Sequence, residues 1–110
     1  MAAKFELKKS TTGQYYFNLK AENGEVILSS EMYQSKEGAE GGIESVSNNA
    51  ALDERYERKV SVKDEPYFIL KAANGEPIGR SEMYSTTAAM ENGIASVKAN
   101  APEAMVDDQT

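Results

Sequence analysis

Residues 16–25 read Tyr-Phe-Asn-Leu-Lys-Ala-Glu-Asn-Gly-Glu, and residues 67–76 read Tyr-Phe-Ile-Leu-Lys-Ala-Ala-Asn-Gly-Glu. The same offset of 51 places Ser30-Glu31-Met32-Tyr33 on Ser81-Glu82-Met83-Tyr84, Gly42-Ile43 on Gly93-Ile94, Ser45-Val46 on Ser96-Val97, and Asn49-Ala50 on Asn100-Ala101. Of the 35 aligned positions from 16 to 50, 20 are identical, far above chance, so the chain contains one unit twice. Positions kept in both copies can therefore be compared within a single chain.

Each unit carries the same local signals. Phe5 and Leu7 alternate with charged residues, which predicts a strand, and Tyr56–Val60 is its weaker counterpart, with Arg58 opposite Leu7. Ser10–Gly13 supplies a turn. Tyr15, Phe17, Leu19 and Ala21 then alternate with polar residues, the pattern of a half-buried strand. Asn23-Gly24 and Asn74-Gly75 follow. Asn-Gly between alternating strands predicts a type I′ hairpin. A third strand runs from Glu25 to about Ser30. In the second copy it carries Pro77, which places that residue at an edge or at a strand start.

A helix completes the unit, with Ser35 and Ser85 or Thr86 as N-cap candidates. At about 100° per residue, Ala39, Ile43, Val46 and Ala50 form one apolar stripe, and so do Met90, Ile94, Val97 and Ala101. Glu37, Glu40 and Glu44 fall on the opposite side. The helices end near Asn49 and Asn100, and Pro102 blocks continuation of the second. A unit of this length is near the lower limit for burying its own core.

The expected architecture is therefore α+β: two tandem strand-strand-strand-helix repeats sharing one antiparallel sheet, with the helices packed on one face. Residues 1–110 form a single domain. Repeat one spans 4–50, repeat two spans 56–101, residues 51–55 link them, and 103–110 form a flexible, frayed tail.

The quoted motifs, twice over, resemble the bacterial YegP-like proteins, a family of small tandem-repeat proteins of uncharacterised function. The resemblance covers about residues 4–101. It implies the same α+β fold and brings no reaction, cofactor or catalytic residue.

Composition removes whole classes of chemistry. The 110 residues include no His, Cys or Trp. Serine-histidine triads, thiol nucleophiles and Cys/His zinc sites are excluded. No cofactor or metal is expected. Twelve Lys and Arg face 18 Asp and Glu, a net charge of −6, which opposes nonspecific contact with nucleic acid or anionic membranes. The longest apolar runs are Val26-Ile27-Leu28 and Phe68-Ile69-Leu70, where a membrane span needs about 20 residues. The opening Met1-Ala2-Ala3-Lys4-Phe5 has no leader-like apolar region. A chain without cysteine fits a reducing compartment, and cytoplasmic location is the expectation.

Three constellations remain as candidates. The first is Ser-Glu-Met-Tyr, where Glu31/Tyr33 and Glu82/Tyr84 offer carboxylate and phenol at a strand end. Its purely structural reading is packing beneath the helix. The second is Gly42, Ser45 and Asn49 with Gly93, Ser96 and Asn100, flanking each apolar stripe. A mid-helix glycine costs about 1 kcal/mol relative to alanine, so its retention implies a close approach. The expected neighbour is a strand or the other helix, with the asparagines as C-caps. The third is Tyr16 and Lys20 with Tyr67 and Lys71, on the sheet face away from Phe17 and Phe68. Aromatics beside lysines can stack single-stranded bases or a planar ligand, or pair with one another across strands.

The leading functional reading is a non-enzymatic binding or interaction module with two quasi-equivalent surfaces. The alternatives are an enzyme using Glu/Tyr acid–base chemistry at the duplicated motif, and nucleic-acid or planar-ligand binding on the Tyr/Lys face. A protein or small ligand fits better than nucleic acid or membrane. The chain is expected to be monomeric, an intramolecular pseudo-dimer, with self-association through exposed strand edges as the competing possibility.

Overall fold

A computed structural model describes residues 3–110; Met1 and Ala2, read above as part of the opening stretch, lie outside the described residues. The elements are β1 (Lys4–Lys9), β2 (Tyr15–Lys20), β3 (Val26–Ser29), α1 (Lys36–Asn49), β4 (Tyr56–Val60), β5 (Pro66–Lys71), β6 (Pro77–Arg80), α2 (Thr87–Asn100) and β7 (Met105–Asp108). All seven strands form one sheet in the order β4-β5-β6-β3-β2-β1-β7. The α+β duplication is thus realised as one continuous sheet, with both helices packed against it over a single core. Among the described residues, no helix is long and apolar enough to cross a membrane.

The two halves meet where β3 and β6 run antiparallel, with Ser29 opposite Arg80. These positions differ by 51, so a pseudo-twofold axis passes through the pair. Position 28 and its copy, 79, lie beside that axis. Leu28 is fully buried there. A Cβ placed on Gly79 would sit 2.7 Å from Leu28 Cγ. One leucine fills the space that two would contest, so the second copy has no side chain.

The apolar stripes face inward. Ala39, Ile43, Val46 and Ala50, and Met90, Ile94, Val97 and Ala101, are all buried against Phe5, Leu7, Phe17, Leu19, Phe68 and Leu70. Ser35 caps α1 by accepting a hydrogen bond from Gly38 N (3.0 Å), and Thr86, rather than Ser85, caps α2 through Ala89 N (3.0 Å). Pro77 opens β6, whose flanks are β5 and β3. It therefore marks a strand start and not an edge.

One local expectation changes. The Asn-Gly hairpins are not type I′, because only Gly24 (φ 84°) and Gly75 (φ 86°) are left-handed and the asparagines are not. Gly24 N donates to Ala21 O and Ala21 N to Glu25 O, each at 2.9 Å. This is a type I turn followed by a left-handed glycine, the three-residue hairpin. Asn23 and Asn74 instead accept from the amides of Glu25 and Glu76 at 3.0 Å. The linker 51–55 holds one 3-10 turn, Asp53–Arg55, and Arg55 Nε donates to Asn49 Oδ1 at 2.9 Å.

The largest change is the tail. Residues 103–110 were expected to fray, yet Met105–Asp108 form β7, parallel to β1. The pseudo-twofold explains both position and direction. The chain leaving α1 becomes β4 and pairs with β5. The chain leaving α2 should pair likewise with β2, but β1 already occupies that place. It settles one place further out and, entering in the sense of the strand it replaces, runs parallel to β1. Asp108 meets Lys36 at 2.6 Å, and Gln109 N donates to Leu7 O at 2.8 Å. Met105-Val106-Asp107-Asp108 lacks the period-two alternation of a half-buried strand, and its place is fixed by backbone pairing with β1.

Gly79→Leu should destabilise the fold by about 1–3 kcal/mol through overpacking, and exchanging the pair, Leu28→Gly with Gly79→Leu, should recover most of that loss. Chemical denaturation of the three chains measures both.

Candidate functional site at the pseudo-twofold axis

The Ser-Glu-Met-Tyr motif divides into inward and outward residues. Ser30 Oγ accepts from Phe17 N (2.8 Å) and donates to Glu31 O (2.7 Å). Ser81 does the same with Phe68 N (3.0 Å) and Glu82 O (2.8 Å). Each serine satisfies a backbone amide where the third strand leaves its neighbour.

Tyr33 and Tyr84 turn under the helices. Their rings stack on Phe17 and Phe68 with centroids 6.3 and 6.4 Å apart. Their hydroxyls lie over Gly42 and Gly93: a Cβ on Gly42 would fall 2.8 Å from Tyr33 Cζ, and one on Gly93 would fall 2.7 Å from Tyr84 Cζ. Two of the sequence candidates therefore explain one another. The nearest neighbour of each mid-helix glycine is the tyrosine of its own repeat, joined by the strand residue beneath it: Phe17 Cε2 would be 2.9 Å from a Gly42 Cβ and Phe68 Cε2 3.4 Å from a Gly93 Cβ.

Asn49 and Asn100 are not C-caps either. Each donates back to the carbonyl of Ser45 or Ser96 at 2.8 Å and also reaches that serine's hydroxyl. Burial pushes both phenols up, and the negative charge of Glu31, or of Glu82 and Glu25, adds to the shift. A phenol so raised is a weaker acid than usual near neutral pH.

Glu31 and Glu82 point outward, and Met32 and Met83 are 54% and 39% exposed. The pseudo-twofold brings the two copies to one place. Ser29–Glu31 and Gly79–Met83 line a common groove of about 620 Å³ between β3 and β6. Arg80 lines the same groove and lies over the Tyr67 ring, 5.3 Å from its centroid. Sequence reading missed Arg80, whose counterpart is Ser29. A signal was present: within an otherwise repeated stretch, positions 26, 28 and 29 differ from 77, 79 and 80. Residues on an axis meet their own copies, so identical side chains there would collide or repel.

The Tyr/Lys face is not one aromatic surface. Tyr16 on β2 and Tyr67 on β5 are three strand spacings apart, about 14 Å. Both lysines are engaged, Lys20 with Glu6 at 3.0 Å and Lys71 with Glu57 at 2.6 Å. Glu6 is 4% exposed and also faces Lys4 (3.5 Å), Lys8 (3.7 Å) and Gln109 Nε2 (3.2 Å). Burial pushes its carboxyl up, but contact with Lys20, Gln109 and Lys8 outweighs this and holds it below the ordinary 4.5. The Tyr/Lys neighbours across strands on this face are Tyr16 opposite Lys8 and Tyr67 opposite Lys59, while Lys20 and Lys71 themselves take glutamates.

A duplicated β-β-β-α unit closed about an internal axis, with its repeated polar motif gathered at that axis, defines a class of small intramolecular pseudo-dimers. The chain belongs to the family described as Domain of unknown function (DUF1508), whose model matches residues 10–57 and again 61–108. It is 55% identical over 106 residues to UPF0339 protein YegP of Yersinia pestis, covering 96% of this chain and 95% of the relative. The solution NMR structure of UPF0339 protein SO3888 from Shewanella oneidensis superposes with a TM-score of 0.92 at 52% identity, over 98% of this chain and 92% of that one. That of yegP from E. coli gives 0.94 at 54% identity, over 100% and 95%. Both matched segments end in the strand that follows the helix, β4 in one and β7 in the other. This is the correspondence that the axis requires.

Gly93→Ala should destabilise by about 1–3 kcal/mol, against the helix-propensity gain alanine would otherwise bring. Adding Tyr84→Phe, which removes the nearest oxygen, should recover part of it in thermal melts. Glu6 has its pKa depressed in the folded state, so its contribution is present above the unfolded value and lost as pH falls through the folded one. Stability should therefore drop on acidification below about pH 4.5, and Glu6→Gln should flatten that slope in denaturation measured across the range.

Proposed function

We propose that this protein is a non-enzymatic interaction module whose dyad groove receives a protein segment bearing basic and apolar residues. The observation that carries this reading is the division of the duplicated motif. Ser30, Tyr33, Ser81 and Tyr84 are accounted for by architecture, while Glu31, Met32, Glu82 and Met83 are not. Glu31 and Glu82 are the two carboxylates lining the groove, and among the described residues neither forms an ion pair, a state they share with surface carboxylates such as Glu37 and Glu40. Unpaired carboxylates beside exposed methionines suit a segment that offers Lys or Arg next to an apolar side chain. Methionine is adaptable enough to fit varied partners. The net charge of −6 steers the same class of partner.

The alternatives draw less support. Acid–base chemistry at Glu31/Tyr33 would use a phenol held under the helix and raised in pKa. Nucleic-acid binding would have to break the Lys20–Glu6 and Lys71–Glu57 pairs. We place the protein in the cytoplasm, in keeping with a chain that contains no cysteine.

A chemical-shift screen of short peptides against the full chain tests the reading. Peptides with a basic residue beside an apolar one should perturb residues 30–32 and 80–83. The Glu31→Gln/Glu82→Gln double should weaken binding about three- to tenfold, the loss of two exposed charge contacts. Shifts confined to Tyr16 and Tyr67, or an unchanged affinity in the double, would move the site elsewhere.

A further inference from the structure

The two edges of the sheet are not alike. Beyond β1 lies β7, whereas among the described residues nothing pairs with the outer side of β4. The β1–β7 pair demonstrates that a strand fits beside the first strand of a repeat. The corresponding place beside β4 is open.

We propose that this edge is a self-association surface, on which β4 pairs antiparallel with β4 of a second copy, centred on Arg58. Backbone alternation decides which groups are free. At the β4–β5 hairpin, Ser61 N donates to Glu65 O at 2.9 Å. Counting back by twos, Lys59 and Glu57 direct their amides and carbonyls toward β5, and Val60, Arg58 and Tyr56 direct theirs outward. Antiparallel pairing centred on Arg58 sets Arg58 opposite Arg58 and Tyr56 opposite Val60, so every outward residue of the strand meets another outward residue.

Side chains select that register. On the open face it places Glu57 of each copy opposite Lys59 of the other, twice. Slipping by one two-residue step in either direction sets Glu57 against Glu57 or Lys59 against Lys59. On the helix side, Tyr56 meets Val60, which is 64% exposed in the single chain. The two Arg58 side chains arrive already neutralised. Each guanidinium is held by Glu91 at 2.6 and 3.1 Å and by Asp53 at 3.1 Å. Charged edge residues ordinarily prevent strand pairing; here they permit it in one register with one orientation. A five-residue edge is short of the area a stable interface buries, so the dimer is weak and reversible.

The test uses the full chain in a dilution series from millimolar to micromolar concentration, followed by amide spectra and sedimentation. The amides of Tyr56, Arg58 and Val60 should shift with concentration, and the largest species should be a dimer. Glu57→Lys alone sets lysine against lysine, and Lys59→Glu alone sets glutamate against glutamate. Each should weaken association about tenfold or more. An equimolar mixture of the two restores both opposite-charge pairs and should associate like the parent. Should Glu57→Lys fail to fold without its Lys71 pair, Val60→Pro removes an outward donor, leaves the β5 ladder intact, and should weaken association. Concentration-independent spectra, or a mixture no better than its components, would overturn the proposal. So would species larger than a dimer, or an edge perturbed by a peptide of residues 105–110 but not by dilution.

Discussion

The fold depends on a narrow joint. Two halves of a seven-stranded sheet are connected through the β3–β6 pair, where, among the described residues, the paired position is Ser29 opposite Arg80. Hydrogen bonding that limited could not hold two independent domains together. The joint holds because the core is shared: residues of both repeats, Phe5 to Ala101, belong to one buried cluster. A unit of about 50 residues leaves too much apolar surface in water by itself, and the partner repeat supplies the missing cover. The axis then imposes its own requirement. A side chain beside it meets its own copy, which is why Leu28 is matched by Gly79 and not by a second leucine.

The same axis gives the duplicated motif its meaning. Duplication retained Ser-Glu-Met-Tyr as a block, but its members were retained for different physical reasons. Serine replaces a strand partner for the amide of Phe17 or Phe68. Tyrosine fills the hollow left by a helix glycine, so glycine and phenol, nine residues apart in each copy, form one packing unit. Glu31, Glu82 and Met83 have no such inward task and line the groove that both repeats build, and Met32 is exposed to solvent. In the carboxylate–phenol pair that looks like acid–base machinery in the sequence, the phenol is half-buried against the core and the carboxylate is exposed, with Glu82 and Tyr84 still lining one pocket.

Polar contacts elsewhere are organised around the extra strand. Glu6, on β1, gathers Lys20 and Lys8 from the sheet face and Gln109 from the end of the chain. Its counterpart Glu57 lies on the strand without an outer neighbour and is more exposed, meeting Lys71 and, less closely, Lys59. One position, in two copies of one unit, is therefore nearly buried or half exposed according to whether a seventh strand covers its flank.

The duplication, the strand alternation, the two helix stripes and the capping hydroxyl at Ser35 were legible in the linear chain, and the second cap to within Ser85 or Thr86. Each is a short-range periodicity or a choice made within four residues, and such choices hold whatever surrounds them. The Asn-Gly turns were recognised as turns, but their type was not, because the dihedral of Asn23 follows the twist of the strands it joins. The strand at 105–108 was hidden altogether: Met105-Val106-Asp107-Asp108 has no period-two alternation, and only the occupied place beside β2 sends it outward to β1. What approaches Gly42 and Gly93, and the meeting of Glu31 with Glu82 and Met83 in one groove, were likewise decided in three dimensions. Those outcomes follow from the internal twofold, which relates residues 51 apart in a way that no local pattern encodes.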